Sequence, residues 1–177
     1  MSSRSLERKK HFIDELKALF SESISAARLA EVNAGQMSEN MRSEASSRGD
    51  AKAAVESGRM AVAHGQRRER TKQDVDRLIA FATRGLKTFP RDAAIELGAM
   101  VDVRVEELES GAVEERTFFI LPVGAGTDLE GPGGDGFLSV ITPESPVGRS
   151  LMGRRVGDSF DTEIKGIERE WTVTDLV

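Results

Sequence analysis

The sequence predicts an α+β protein, in which an N-terminal antiparallel α-helical coiled-coil hairpin precedes a small C-terminal antiparallel β-sheet domain with one short helix. Two observations predict this fold. Apolar residues recur every seven positions in the first half of the chain, as they do in coiled coils. After Pro90 apolar and polar residues alternate, which is typical of half-buried strands. We therefore divide the chain into two domains, residues 1–90 and 91–177.

The first arm of the hairpin has the clearest pattern. Its seam repeats at strict seven-residue intervals: Leu6, Ile13, Phe20, Ala27, Ala34 and Met41. A helix that keeps this seam has to continue past Gly35, a helix-interior glycine that costs about 1 kcal/mol relative to alanine. The small polar run RSEASSRGD follows the last seam residue. We expect the tip of the hairpin at about residues 43–50.

The second arm is predicted from about Ala51 to Leu86. Gly58 and Gly65 keep its middle slim, so that the two arms can approach each other closely. Its apolar face is a stripe with three- and four-residue spacing, formed by Val75, Ile79, Ala82 and Leu86.

The two halves of the chain differ in net charge, and the composition of the chain excludes several kinds of site. Residues 1–90 contain 17 Lys/Arg and 12 Asp/Glu, a net of +5, whereas residues 91–177 contain 8 and 18, a net of −10. The absence of cysteine excludes disulfides, thiolate zinc sites and a cysteine nucleophile. The sequence shows no run of apolar residues long enough to span a membrane and no secretory signal pattern. We therefore expect a cytoplasmic protein.

The C-terminal domain is predicted to be built from short strands. Val101, Val103 and Val105 alternate with charged residues and mark the first strand. Further strands are expected at VEERTFFIL, GFLSVIT, SFDTEI and EWTVTDL. The glycine-rich segment 124–136 follows a strand without opening a helix, so it lacks the context of a phosphate-binding loop. It is predicted to be a flexible surface loop.

One short helix is expected at about Val147 to Met152. Ser145 is a favourable N-cap, and Pro146 falls in the first turn, where its missing N–H costs nothing. Gly153 ends the helix. Leu151 and Met152 are predicted to pack against the sheet.

Two segments carry a resemblance to a known family. LSVITPESPVGRSLMGRRVGD, residues 138–158, resembles the pattern ISVxTPxSPxGxxLxGxxxGD of the C-terminal domain of the bacterial Gre transcription elongation factors, GreA and GreB. ELGAMVDV, residues 96–103, is similar to the opening strand of that domain. The resemblance is specific over residues 95–177, whereas over residues 5–86 it concerns only the architecture.

The resemblance implies a fold, a partner and a way of acting. The C-terminal domain is expected to be FKBP-like and to dock on bacterial RNA polymerase, and the hairpin is expected to enter the polymerase secondary channel as part of a monomer. The protein would then be no enzyme, would hold no intrinsic cofactor or metal, and would meet nucleic acid only through the elongation complex. The docking residues are expected to be Ser145, Pro146, Val147, Gly148 and Arg149.

The hairpin tip departs from the family pattern. In the cleavage-stimulating members of the family that this chain resembles, the tip has roughly the motif G-D-x-x-E-N. Its acidic pair helps to hold a Mg²⁺ ion of the polymerase active site. This chain has two partial matches, GQMSEN at residues 35–40 and GDAKAA at residues 49–54. The unbroken seam favours the second as the tip. The candidate tip acids are Glu44, Asp50 and Glu56, although helix geometry separates the last two by about 120°.

Several functions follow from these observations. The leading hypothesis is a regulator of transcription elongation, either one that stimulates transcript cleavage or one that occupies the channel as a non-cleaving inhibitor. The incomplete acidic pair favours the second. A peptidyl-prolyl isomerase is suggested by the FKBP-like fold alone, which does not carry function. A homodimeric coiled-coil adaptor is the third hypothesis, and it predicts a dimer instead of a monomer.

Overall fold

A computed structural model describes residues 2–44, 47–134, 136–164 and 166–177. None of the helices in these ranges is long and apolar enough to cross a membrane. The described elements are, in chain order, α1 (Ser2–Glu44), α2 (Arg48–Thr83), β1 (Met100–Glu107), β2 (Val113–Ile120), β3 (Asp128–Glu130), β4 (Phe137–Ile141), α3 (Pro146–Leu151), β5 (Ser159–Ile164) and β6 (Ile167–Leu176).

The chain folds into two compact units. One contains Lys17–Asp76, and the other contains Met1–Leu16 together with Arg77–Val177. The division therefore runs through both long helices. The domain boundary at residue 90, which rests on the change of sequence period, stays a prediction.

The unit of residues 17–76 is an antiparallel helical hairpin, as predicted. Ser38 Oγ on α1 donates a hydrogen bond to the backbone oxygen of Ala54 on α2 over 2.8 Å, and Ser57 Oγ on α2 donates to the oxygen of Ala34 on α1 over 2.9 Å. A hydroxyl reaches the opposite backbone only when the seam is lined by small residues. A Cβ added to Gly58 would lie 3.2 Å from Ser38 Oγ.

The bounds and the apolar stripe of α2 differ from the prediction. The helix begins three residues before Ala51 and ends at Thr83, so Leu86 lies beyond it. Gly85 follows the last turn with φ +91°, a left-handed conformation that commonly ends helices. Leu78 is fully buried, whereas Ile79, which was assigned to the stripe, is 46% exposed. Val75 and Ala82 of the predicted stripe are half-buried, so the prediction was wrong for Ile79, whose place in the stripe is taken by Leu78.

The second unit contains a six-stranded sheet in the order β3-β4-β2-β1-β6-β5. Four of its strand pairs are antiparallel, but β2 and β4 are parallel over residues 118–120. The prediction of an antiparallel sheet was wrong for this pair, because the chain between the two strands crosses over instead of turning back. The prediction of a loop over 124–136 was also wrong in part, since β3 lies within it; Asp135 falls outside the described residues.

One face of the sheet carries the main hydrophobic core. Trp171 stacks between Phe118 and Phe160, with ring centroids 6.0 and 5.8 Å away. Leu151 of α3 is fully buried in this core and Met152 packs at its margin, as predicted. The remaining buried residues of the core are Ile95, Ala99, Val101, Val103, Val105, Ile120, Ile141, Val173 and Leu176.

The first turns of α1 also belong to this unit. Phe12 meets Phe119 edge-on, with ring centroids 6.4 Å apart. Lys9 is fully buried. Its Nζ donates a 2.7 Å hydrogen bond to the backbone oxygen of Lys87 and lies 4.8 Å from the centroid of the Phe89 ring. The burial of this ammonium lowers its pKa to about 8.

The same part of α1 closes one edge of the sheet. Glu15 Oε1 accepts the backbone N–H of Glu130 in β3 at 3.0 Å, and His11 Nε2 lies 3.3 Å from the backbone oxygen of Glu130. Edge strands expose unpaired backbone groups that invite association with other chains. Side chains from a helix satisfy those of Glu130 here.

Candidate functional site

The predicted tip acid Asp50 is part of a capping box at the start of α2. Ser47 precedes the helix, and its Oγ accepts the backbone N–H of Asp50 at 3.2 Å. In return, Asp50 Oδ2 accepts the backbone N–H of Ser47 at 3.0 Å. Such reciprocal bonds satisfy two donors that a helix start otherwise leaves unpaired. One carboxylate oxygen of Asp50 is therefore committed to holding the helix end.

The other two tip candidates lie apart from this box. Glu44 is exposed at the last residue of α1. Glu56 is exposed on α2, where its Oε2 lies 3.8 Å from Arg59 Nη1. The predicted tip range also includes residues 45 and 46, which fall outside the described residues.

Among the residues that the structure describes, the tip carboxylates are not grouped as the ligands of a metal ion are. Mg²⁺ prefers several hard oxygen ligands in octahedral geometry. Over the described ranges, no group of three or more His, Cys, Asp or Glu side chains is placed to hold a metal ion. A metal role for Glu44, Asp50 and Glu56 stays a prediction.

The first partial motif, residues 35–40, lies inside a helix. α1 continues from Ser2 to Glu44 without interruption, which confirms that the seam runs past Gly35. Glu39 is exposed on this helix, five residues before its end. The segment therefore does not form the turn between the two arms.

The predicted docking segment is a rigid turn into α3. Ser145 is the N-cap: its Oγ accepts the backbone N–H of Gly148 at 3.0 Å and donates to the backbone oxygen of Thr142 at 2.8 Å. Pro146 occupies the first turn, as expected. The observed helix, Pro146–Leu151, lies one residue before the predicted span. Ser145 thus fixes the direction in which the chain enters α3.

Gly148 has a structural role in the same turn. It is buried, and a Cβ built on it would lie 1.9 Å from the backbone oxygen of Thr142 and 2.8 Å from Ser145 Oγ. No other residue fits without moving the turn. Pro146 and Arg149 are exposed, while Val147 packs partly against the core. Ser145 and Gly148 therefore shape the segment, and Pro146 and Arg149 present its surface.

Two arginines after α3 hold the segment against the rest of the domain. Arg154 Nε donates a 2.6 Å hydrogen bond to the backbone oxygen of Ser150, and its guanidinium lies 4.4 Å from the centroid of the Phe160 ring. Arg155 Nη1 donates to the backbone oxygen of Asp92. The backbone of Ile95 adds two hydrogen bonds: its N–H donates to the oxygen of Arg154, and its oxygen accepts the N–H of Gly153.

Sequence reasoning missed two features of these sites. The spacing Ser47-x-x-Asp50 is a capping-box signature that was available in the sequence and gives the helix start directly. The steric demand on Gly148 had no such local signal, because the atom that excludes a side chain belongs to Thr142, six residues earlier.

Comparison with known families identifies the C-terminal domain. The family described as "Transcription elongation factor, GreA/GreB, C-term" matches residues 92–176. Residues 92–176 form a Gre-type C-terminal domain. The match spans β1 to β6 with α3 between them, and it confirms the Gre-type resemblance of residues 138–158 and 96–103.

Solved structures of Gre-type proteins are also similar to this chain. GreA factor homolog 1 (Gfh1) of Thermus thermophilus shares 20% identity over 91% of this chain and 94% of its own, with a TM-score of 0.34. Gfh1 of Thermus aquaticus shares 19% identity over 94% of each chain, with a TM-score of 0.34. GreA/GreB from Nitrosomonas europaea shares 22% identity over 50% of this chain and 63% of its own, with a TM-score of 0.33. No curated protein matches this chain.

These likenesses carry no argument about function. The identities are below 25% and the TM-scores are below 0.5. The Gre-type assignment therefore rests on the family match over residues 92–176.

Proposed function

We propose that this protein regulates bacterial transcription elongation in the cytoplasm by binding RNA polymerase with its Gre-type domain and occupying the secondary channel with its hairpin. It contributes no catalytic residue and no cofactor of its own, and it acts as a monomer. The observation that carries the proposal is the GreA/GreB match over residues 92–176. The antiparallel hairpin of residues 17–76 supplies the inserted element.

The tip supports action by occupancy instead of stimulated cleavage. The partial cleavage motif near the turn, residues 49–54, contains Asp50. It has alanine at the two positions where the motif has glutamate and asparagine. One oxygen of Asp50 is engaged by the backbone N–H of Ser47. A single, partly engaged carboxylate is a poor partner for a Mg²⁺ ion that needs several hard ligands.

Transcript assays on stalled bacterial elongation complexes test this mode of action. We expect the protein to slow nucleotide addition without raising cleavage above that of polymerase alone. Asp50→Asn keeps an oxygen for the capping box and removes the charge, so it should slow elongation as much as the wild type does. Glu56→Gln is the matched control. Cleavage that rises with the wild type and disappears with Asp50→Asn would instead assign the stimulating function.

Docking through the segment before and within α3 has a separate test. Arg149 is exposed on α3, so Arg149→Glu should weaken binding of the full-length protein to RNA polymerase about tenfold without affecting the fold, as expected for loss of a charged interface contact. Arg104→Glu, an exposed charge reversal on β1, is the control and should bind as the wild type does. Equal affinities of the wild type and Arg149→Glu would remove this segment from the interface.

A further inference from the structure

The sheet of the C-terminal unit has an edge that its own strands leave open. β2 runs from Val113 to Ile120, but β4 pairs with residues 118–120 alone. On its other side β2 is paired with β1 along nearly its whole length, from Val113 to Phe119. Within the described chain, residues 113–117 of β2 therefore have a strand neighbour on one side only.

The backbone groups at this edge point outward at alternate residues. The N–H and C=O of Ile120 bond to the segment before β1, whereas the N–H of Leu121 bonds to Ile141. Because successive residues of a strand direct their backbone groups to opposite sides, those of Glu115 and Thr117 face away from β1. The N–H and C=O of Glu115 and the N–H of Thr117 lie beyond the β2–β4 pairing, whereas the C=O of Thr117 faces Ser139 within that pairing.

An open cleft of about 510 Å³ lies along this edge. Its lining carries four carboxylates, those of Asp102, Glu114, Glu115 and Asp128, and one guanidinium, that of Arg116. Arg116 is already paired with Glu114 at 2.9 Å. Four negative charges and one positive charge leave the lining with a net charge of −3, which favours a cationic occupant.

An apolar contact surface lies in the same cleft. Phe137 begins β4, lines the cleft and is 73% exposed. Charged side chains alone at a strand edge discourage association, but a large exposed aromatic ring beside that edge has the opposite effect. The outer edge of β3 differs from this open edge of β2, because Glu15 and His11 contact the backbone of Glu130 there.

We propose that the open edge of β2 at residues 113–117 binds an extended, basic peptide segment of a partner protein by strand addition. The N–H and C=O of Glu115 and the N–H of Thr117 would supply the ladder hydrogen bonds, as in other complexes formed by strand addition. Lysine or arginine side chains on one face of the segment would meet the acidic lining, and an apolar side chain would cover Phe137. The occupant is a peptide strand and not a nucleic acid, because the lining is acidic.

A short capped peptide of alternating lysine and valine is the probe, added to the full-length protein. Amide NMR shifts and hydrogen exchange should show saturable binding with protection at Glu115 and Thr117. Glu115→Lys should weaken this binding about fivefold, the effect of reversing one exposed charge. Glu163→Lys, on the outer strand β5, is the matched control and should leave the affinity unchanged.

The peptide series also defines the results that overturn the proposal. A peptide with glutamate in place of lysine should not bind, and neither should one with proline at alternate positions, since proline cannot supply ladder hydrogen bonds. Equal binding of the glutamate peptide, protection along β5 instead of β2, or no saturable binding of the lysine peptide would each contradict strand addition at this edge.

Discussion

Gly148→Ala should destabilise the C-terminal unit by about 3 kcal/mol, the upper range of overpacking in a closed site. The added Cβ would lie 1.9 Å from the backbone oxygen of Thr142, and a backbone atom cannot swing aside as a flexible side chain can. The turn would have to open, which also breaks the cap that Ser145 makes to residue 148. Urea unfolding followed by the fluorescence of Trp171, the one tryptophan of the chain, measures the loss.

The same methyl group added elsewhere gives the control. Gly35→Ala lies in the interior of α1, where a new Cβ would meet nothing within 4 Å. This variant should gain up to about 1 kcal/mol from helix propensity, read from the helical circular dichroism signal. A Gly148→Ala protein as stable as the wild type would mean that the turn before α3 adapts easily, and that glycine at this position is not required by packing.

The free energy of unfolding should rise with pH between about 8 and 10, because of Lys9. Burial lowers the pKa of this ammonium from 10.5 to about 8, so between these values the unfolded chain binds the proton that the folded chain has released. Unfolding then takes up a proton and becomes less favourable as pH rises. At about 1.4 kcal/mol per pKa unit, the gain is on the order of 3 kcal/mol.

Composition makes this measurement clean. The chain has no cysteine and no tyrosine, so neither thiols nor phenols titrate in this range. Lys9→Met removes the buried charge and should flatten the rise seen by Trp171 fluorescence. Lys10→Met changes the exposed neighbour and should leave the rise intact. Parallel curves for the wild type and Lys9→Met would show that the charged and neutral forms of Lys9 fit the folded protein equally well.

Local patterns predicted the elements of this protein better than their pairing. The seven-residue repeat gave an unbroken α1, and the N-cap at Ser145 gave α3 within one residue. The parallel pairing of β2 with β4 depends on how the chain between them crosses the sheet, which no short window of sequence encodes. β3 has only three residues within a glycine-rich segment, too few to show alternation.

The sites show the same division between local and tertiary information. The candidate docking segment could be found from its sequence pattern, and the structure then separated its shaping residues, Ser145 and Gly148, from its exposed ones. The burial of Lys9 could not be predicted, because the carbonyl of Lys87 and the ring of Phe89 that surround it come from a segment almost eighty residues away.

The seam of the hairpin limits which substitutions it can accept. Ser38 and Ser57 each reach the backbone of the opposite helix, and a Cβ on Gly58 would already press on the hydroxyl of Ser38. Interaxial distance between helices follows the size of the side chains at their contact. Replacing the residues at these positions with leucine would move the two helices apart and enlarge the cross-section of the hairpin. If a narrow hairpin is required for function, selection would favour alanine, serine and glycine at the seam.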